Sequence, residues 1–316
     1  MGEYFEIGVV VACHKGERTL AATLSGMQAQ VHRAWRLVVV DDGSPDNVAG
    51  IAELFAAADP RITLVRIPNG GVCAARNTGF ARLPESMRYV IFLDQDDVPG
   101  PETLSTLAGV LETHPEAGLV HCEPRLIDSE GRDVPGRRWM PRWALINGWP
   151  VELPATEDEV TPLESIYCGA GVLPSLSLYR RSVLVETGLY DTELGQCYED
   201  VNLNIEVALR SEVRHVAAQL VGYRLHPGQV SADERRRIRQ EKRLYHKWTT
   251  RTDLPAEQAA RIAGAERFRT GPLVMRLALI AGKRALLEGR IGDAFRAGGA
   301  LLAGVIRSTK DAATSH

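Results

Sequence analysis

The stretch Tyr89–Glu102, YVIFLDQDDVPGPE, decides how the chain is read. Val90-Ile91-Phe92-Leu93 is a short apolar run of the kind found in strands buried on both faces. It leads straight into Asp94-Gln95-Asp96-Asp97, and Pro99-Gly100-Pro101 stops it. In an open α/β sheet, ligands collect beyond the carboxyl ends of the strands, which would set Asp94 and Asp96 where a ligand arrives. Carboxylates are hard ligands suited to Mg²⁺ or Mn²⁺, and a cation held by one or two of them keeps room for phosphate oxygens. A nucleotide diphosphate is the first-choice ligand of this turn. The competing reading is an acidic turn that caps a helix beginning near Pro101 and is merely solvated.

On the amino-terminal side the same strand-to-turn pattern repeats. Ile7–Cys13, IGVVVAC, reads as a buried strand, followed by the loop His14–Arg18 and a helix with Leu20, Leu24, Met27 and Val31 at helical spacing behind a Thr19 N-cap. Arg36–Val40 is a second strand ending in the turn Asp41-Asp42-Gly43-Ser44-Pro45. A helix carrying Ile51, Leu54, Phe55 and Ala58 precedes a third strand, Ile62–Ile67. Pro68-Asn69-Gly70-Gly71 then turns the chain into a helix over Val72–Arg82.

On the carboxyl side the spacing predicts a helix with Leu104, Leu107, Val110 and Leu111 inward, a strand at Gly118–His121 and a hairpin turn at Asp128-Ser129-Glu130-Gly131. From Arg132 to Val160 periodicity fades, and Trp139, Trp143 and Trp149 suggest an irregular segment over a cleft. Ser177–Tyr179 resumes strand character. Cys197-Tyr198-Glu199-Asp200 opens an amphipathic helix with Val201, Ile205, Ala208 and Leu209; two acids at its start also suit the helix dipole. Leu220–Leu225 reads as a last strand, running into His226. Strands alternating with helices predict an α/β chain with a mostly parallel, doubly wound sheet.

From Asp233 onward the chain reads as helical, with segments at Asp233–Trp248, Leu273–Leu287 and Ile291–Ile306. Residues 233–316 carry 18 Lys and Arg against 9 Asp and Glu, so that a tail of +9 follows a core of −12. Such a tail is compatible with peripheral contact with anionic lipid head groups, with an anionic acceptor, with docking on the acidic core, and with a homodimer. Apolar residues make up 45% and charged residues 24% of the chain, enough for a sizeable core. Cys13, Cys73, Cys122, Cys168 and Cys197 lack zinc-type spacing and read as reduced thiols. With no leader-like amino terminus and no long uncharged apolar run, the expectation is a cytoplasmic protein with no nucleic-acid partner, peripheral at most to the inner face of a membrane.

In their order, these motifs resemble family 2 glycosyltransferases, inverting enzymes of the GT-A fold. The resemblance covers residues 6–232: VVVACHKGE, VVVDDGSPD, NGGVCAARNTG, FLDQDD as the DxD metal motif, LYRRSVLVETGLYD, YEDVNLNIEVALR and GYRLHPGQVS. It implies a GT-A domain over 1–232, with a nucleotide-sugar half (1–125) and an acceptor-side half (126–232), followed by a helical extension over 233–316. It implies nucleotide contacts from Ala12, His14, Glu17, Asp42, Arg76, Gln95 and Asp96, with the Asp42 carboxylate accepting from a base ring N–H, UDP expected first and dTDP next. It further implies Mn²⁺ or Mg²⁺ at Asp94 and Asp96, Asp96 the more direct ligand, with His226 a further metal or phosphate contact. Asp200, with Glu199 beside it, would be the general base for an acceptor hydroxyl on a glycan, a lipid-linked substrate or a natural product.

Two departures stand out: Ala12-Cys13-His14-Lys15 replaces the family's frequent Pro-Val-Tyr-Asn, putting His14 where an aromatic would stack on the base, and no QxxRW motif of processive synthases follows Asp200. Two other functions share parts of the pattern. A sugar-1-phosphate nucleotidyltransferase would need a glycine-rich basic loop, and residues 8–18 contain only Gly8 and Gly16. A non-catalytic nucleotide-sugar-binding module would tolerate loss of the carboxylates that this chain retains.

Overall fold

A computed structural model describes residues 6–135, 159–169, 171–226, 229 and 233–269. The predicted helices Leu273–Leu287 and Ile291–Ile306, and Trp139, Trp143 and Trp149, lie outside them. Two compact units are present, one built from residues up to Trp139, Pro154–Thr161 and Val172–Tyr245, the other from Met140–Leu153, Pro162–Gly171 and residues from His246 onward.

The first unit is organised by one sheet in the order β3-β2-β1-β4-β8-β6-β9-β5, with β7 pairing on β9. Its strands are β1 Ile7–Cys13, β2 Trp35–Asp42, β3 Ile62–Ile67, β4 Tyr89–Asp94, β5 Val98–Pro99, β6 Ala117–Ile127, β7 Glu159–Val160, β8 Ser177–Arg180 and β9 Glu212–Arg224. β1, β2, β3 and β4 are parallel neighbours, and β8 enters antiparallel between β4 and β6. β9 returns parallel to β6, so most strands share one direction. The apolar runs are continuous because both faces are covered: β1 is buried at every position except Ala12, and β4 at all but Asp94.

The helices of this unit are α1 Leu20–Gln28, α2 Val48–Ala58, α3 Val72–Arg82, α4 Thr103–Thr113, α6 Arg181–Thr187 and α7 Glu199–Ala208, with a single 3₁₀ turn at Pro174–Leu176. α3 lies very close to the sheet because Gly79 faces β1 and β2; a Cβ there would fall 2.3 Å from Val10 Cγ1 and 3.1 Å from Val40 Cγ2. In the second unit α5 Leu163–Tyr167 packs with α9 Ala256–Phe268, and the Tyr167 hydroxyl donates to Glu266 at 3.0 Å. α8, Glu234–Thr250, contributes to both units.

Several boundaries differ from the sequence reading. β6 runs to Ile127 and β9 begins at Glu212, both longer than expected, because they pair with each other along ten residues despite polar positions and register shifts. Val31 lies past the end of α1 and is exposed, since α1 closes at Gln28. Pro99, read as the start of the strand's stop, forms with Val98 the short strand β5 on β9, and Arg181–Thr187 forms a helix that the sequence reading does not contain. Asp128–Gly131 does turn, with Ile127 and Asp133 bridged across it.

Candidate active site

The chain leaves β1 to form β2 and β3 on one side, then returns to form β4 on the other. The crevice between the carboxyl ends of β1 and β4 is therefore a topological switch point. In register, Ala12 sits opposite Asp94 on β4 and opposite Val40 on β2. The loop after β1 is fixed to the turn after β4 by one side chain: Gln95 Nε2 donates to His14 O at 3.0 Å, and His14 N donates to Gln95 Oε1 at 2.9 Å. Gly16 is required beneath this clamp, because a Cβ there would lie 2.2 Å from Gln95 Oε1. Glu17 sits on the same loop and accepts from Asn47 N at 3.2 Å.

Asp42, at the end of β2, is buried and accepts from Gly70 N at 2.7 Å and Gly71 N at 2.9 Å. It pins the start of α3, where Gly71 adopts a φ of +86° that favours glycine. Each carboxylate oxygen keeps lone-pair capacity beyond one N–H. His14 Nδ1 lies 3.1 Å from Asp42 O and 3.1 Å from Asn69 Nδ2, so the imidazole borders the same corner.

Arg76 projects from α3 into the interior and is only 3% exposed. Its Nη2 donates to Asp94 Oδ1 at 2.7 Å, its Nη1 to Glu199 Oε1 at 3.0 Å, and the guanidinium lies 4.9 Å from the centre of the Tyr190 ring. Burial opposes its charge, but Tyr190, Asp94 and Glu199 outweigh burial and hold it protonated. Asn77, next along α3, secures that aromatic floor by donating to Tyr190 O at 2.8 Å and accepting from Tyr190 N at 3.1 Å.

Asp96 turns the other way and meets His226 Nε2 at 2.9 Å. Burial, then the charge of Asp94, push its carboxyl above the usual range. Arg224, the last residue of β9, supports the turn from behind: its N donates to Asp97 Oδ1 at 3.1 Å and its Nε to Asp96 O at 2.9 Å. Its Nη1 reaches Asp128 O at 3.1 Å and Ser129 O at 2.9 Å. Ser175 Oγ accepts from Asp94 N at 2.9 Å.

α7 begins at Glu199 after two consecutive left-handed residues, Cys197 (φ 78°) and Tyr198 (φ 69°). Non-glycine residues in that region are strained, and such strain gathers at functional sites. Glu199 is buried against Arg76, with Oε2 lacking a partner, whereas Asp200 is partly exposed and accepts from its neighbour Val201 N at 2.8 Å. Burial and then the adjacent Glu199 carboxylate push Asp200 up to about 7.

The structure thus gathers buried Arg76 and Glu199 with the partly exposed Asp94 into one cluster and pairs Asp96 with His226. Among the described residues, no three His, Cys, Asp or Glu side chains form a ready cation cage. The Asp96–His226 pair nevertheless has donors that suit Mn²⁺ or Mg²⁺ if diphosphate oxygens complete the shell. Asn77, Ser175, Tyr190 and Arg224 were not singled out from sequence, although Asn77, Tyr190 and Arg224 lie inside motifs quoted above.

A family model for glycosyl transferase family 2 matches residues 8–186. The chain belongs to that family. A family relative, the succinoglycan biosynthesis protein ExoW of Rhizobium meliloti, is 40% identical over 89 residues, 27% of this chain and 27% of that protein. The chain spans only about a quarter to a third of the length of the curated relatives it matches. Among solved structures, S. aureus TarS 1–349 in complex with UDP-GlcNAc aligns with a TM-score of 0.61 at 15% identity, over 93% of this chain and 89% of that one. The mannosyltransferase PcManGT from Pyrobaculum calidifontis, in complex with GDP-Man and Mn²⁺, aligns at 0.60 and 17%, over 98% and 88%. These likenesses establish the GT-A type of fold for this member of family 2.

Proposed function

We propose that this chain is a metal-dependent, inverting glycosyltransferase that moves one sugar from a nucleotide-diphosphate sugar, a UDP-sugar first and a dTDP-sugar next, to an acceptor hydroxyl. The observation that carries this reading is Asp200, a partly exposed carboxylate at the start of α7 with its pKa raised to about 7, beside the cluster that joins α7 to the end of β4. The ligands named for the TarS and PcManGT structures, UDP-GlcNAc, GDP-Man and Mn²⁺, support a nucleotide-sugar donor and a divalent cation.

In this mechanism Asp200 takes the proton of the acceptor hydroxyl as its oxygen attacks the anomeric carbon. The new C–O bond forms as the bond to the diphosphate breaks, and that electron pair leaves with the nucleoside diphosphate. A base on the face opposite the leaving group imposes inversion. Asp94, Asp96 and His226 would hold a divalent cation, which when bound would supply Lewis-acid stabilisation of the leaving diphosphate. Gln95 keeps the loop bearing His14 and Glu17 over the cleft, and Asp42 with His14 shapes the base corner. Acceptors with a glycan, lipid-linked or natural-product hydroxyl fit this chemistry equally.

Calorimetric titration with UDP, dTDP, GDP and CDP, with Mn²⁺ and with EDTA, tests the reading. One diphosphate should bind only with the cation, and Asp96→Ala should weaken it at least tenfold; a folded protein that binds none would refute the transferase assignment. The GT-A transferase domain is assigned to residues 1–232, with its nucleotide-sugar half at 1–125 and its acceptor-side half at 126–232, and the helical extension to 233–316. No helix of the described residues is long and apolar enough to cross a membrane, and the reading sets the protein in the cytoplasm with its basic extension against an anionic membrane face. Liposomes rich in anionic lipid should float the full chain and release it when residues 233–316 are removed; equal flotation of both would sink the membrane role.

A further inference from the structure

We infer that Arg76 is a positioning residue that couples the two sides of the site, bridging Asp94 and Glu199 so that the cation-side carboxylate and the helix presenting the base respond together. The inference rests on the transferase reading above and concerns how donor and acceptor chemistry are linked within it.

Four observations carry it. Arg76 is sealed from solvent, and both of its Nη atoms are spent on carboxylates, 18 and 123 residues away in sequence. Among the described residues it is the only cation paired with Glu199, whose second oxygen is buried without a partner. Asn77 of the same helix clamps the backbone of Tyr190, whose ring centre lies 4.9 Å from the guanidinium, so the residue stacked on the cation is tied to the helix that carries it. Asp94 is 36% exposed, so one end of the chain of contacts remains open to a ligand while the other is closed.

A guanidinium shared by two carboxylates divides its hydrogen bonds between them. Engagement of Asp94 by a donor-bound cation leaves more of Arg76 to Glu199, and α7 is then held harder at its first turn, one residue before Asp200. Loss of the Glu199 charge does the reverse, giving Asp94 the whole guanidinium and making it a poorer partner for the cation. Such coupling is reciprocal, with typical magnitudes of about 5- to 150-fold in affinity.

The test titrates the whole chain at pH 8 with UDP, dTDP, GDP and CDP in Mn²⁺. Glu199→Gln should weaken cation-dependent nucleotide binding at least fivefold. Asp200→Asn removes the adjacent charge without touching Arg76 and should change it less than twofold. Equal weakening by both variants would reduce the effect to general field strength and overturn the coupling, as would unchanged affinity in a folded Glu199→Gln protein. If the wild type binds none of the four, the transferase reading fails, and carboxyl ¹³C titration decides the coupling alone. Asp94→Asn should then shift the Asp200 midpoint in the wild-type background and not in Arg76→Lys; equal shifts in both would overturn it.

Discussion

Two neighbouring acids on α7 differ in exposure, Glu199 being buried and Asp200 only partly so. Glu199 is closed in by Arg76, while Asp200 is partly exposed and has its pKa raised to about 7, first by burial and then by Glu199. A general base works in its deprotonated form, so turnover should rise with pH through about 7 and level off above it. Asp200→Asn should lower turnover by about 10²–10⁴-fold and abolish the rise while nucleotide still binds. Initial rates of nucleoside diphosphate release between pH 5 and 9 check this; a flat profile in the wild type would remove Asp200 from the mechanism. Sequence brought out Asp200, Arg76 and the Asp94–Asp97 turn because each sits in a motif. It could not show that Arg76 faces two carboxylates, because that depends on contacts between distant elements.

At the scale of elements, the alternating units through β4 were legible because strands buried on both faces appear as unbroken apolar runs ended by turn residues. β6 and β9 were read too short, since Glu123, Pro124 and Arg125 interrupt one and Glu212, Arg214, His215 and Gln219 roughen the other, yet the two pair along most of their lengths. α6 is seven residues long with only Val183 and Leu184 buried, too little for a periodic signal. The α3–sheet contact yields a prediction in which two effects compete. Gly79→Ala gains about 1 kcal/mol of helix propensity, but a methyl group 2.3 Å from Val10 Cγ1 meets the wall of a buried strand. Overpacking costs about 1–3 kcal/mol, and here the strand cannot back away. A net loss of up to about 2 kcal/mol is expected by urea unfolding, and a stabilised variant would show that α3 can shift outward.

Across the whole molecule, the far end of the sheet holds a second titratable pair. His121 on β6 and His215 on β9 are buried with ring centres 4.9 Å apart; His121 Nε2 lies 2.8 Å from Thr161 Oγ1, and Glu123 and Glu159 adjoin His215. Burial lowers both pKa values, aided at His121 by His215 and opposed at His215 by Glu159. A histidine kept neutral by the fold contributes stability above its free value of about 6.5 that is lost as pH falls below it. The raised carboxyls of Asp200 and Glu199 act in the opposite sense, so the stability difference between wild type and His121→Gln isolates the imidazole. That difference should fall on acidification by up to about 2 kcal/mol between pH 6.5 and 5, read by urea melts at each pH; a difference independent of pH would mean that the fold does not hold His121 neutral. Arg224 carries a consequence in time. The peptide oxygen of Asp96 waits for a guanidinium 128 residues later in the chain, an interval of about 6–26 s at ordinary ribosomal rates. During that interval the nascent chain has β1 to β4 complete, while the acidic turn that gives them their chemistry still lacks its backing. An early-made part of the sheet thus receives one of its fixings only after Arg224, in the last third of the sequence, has been added.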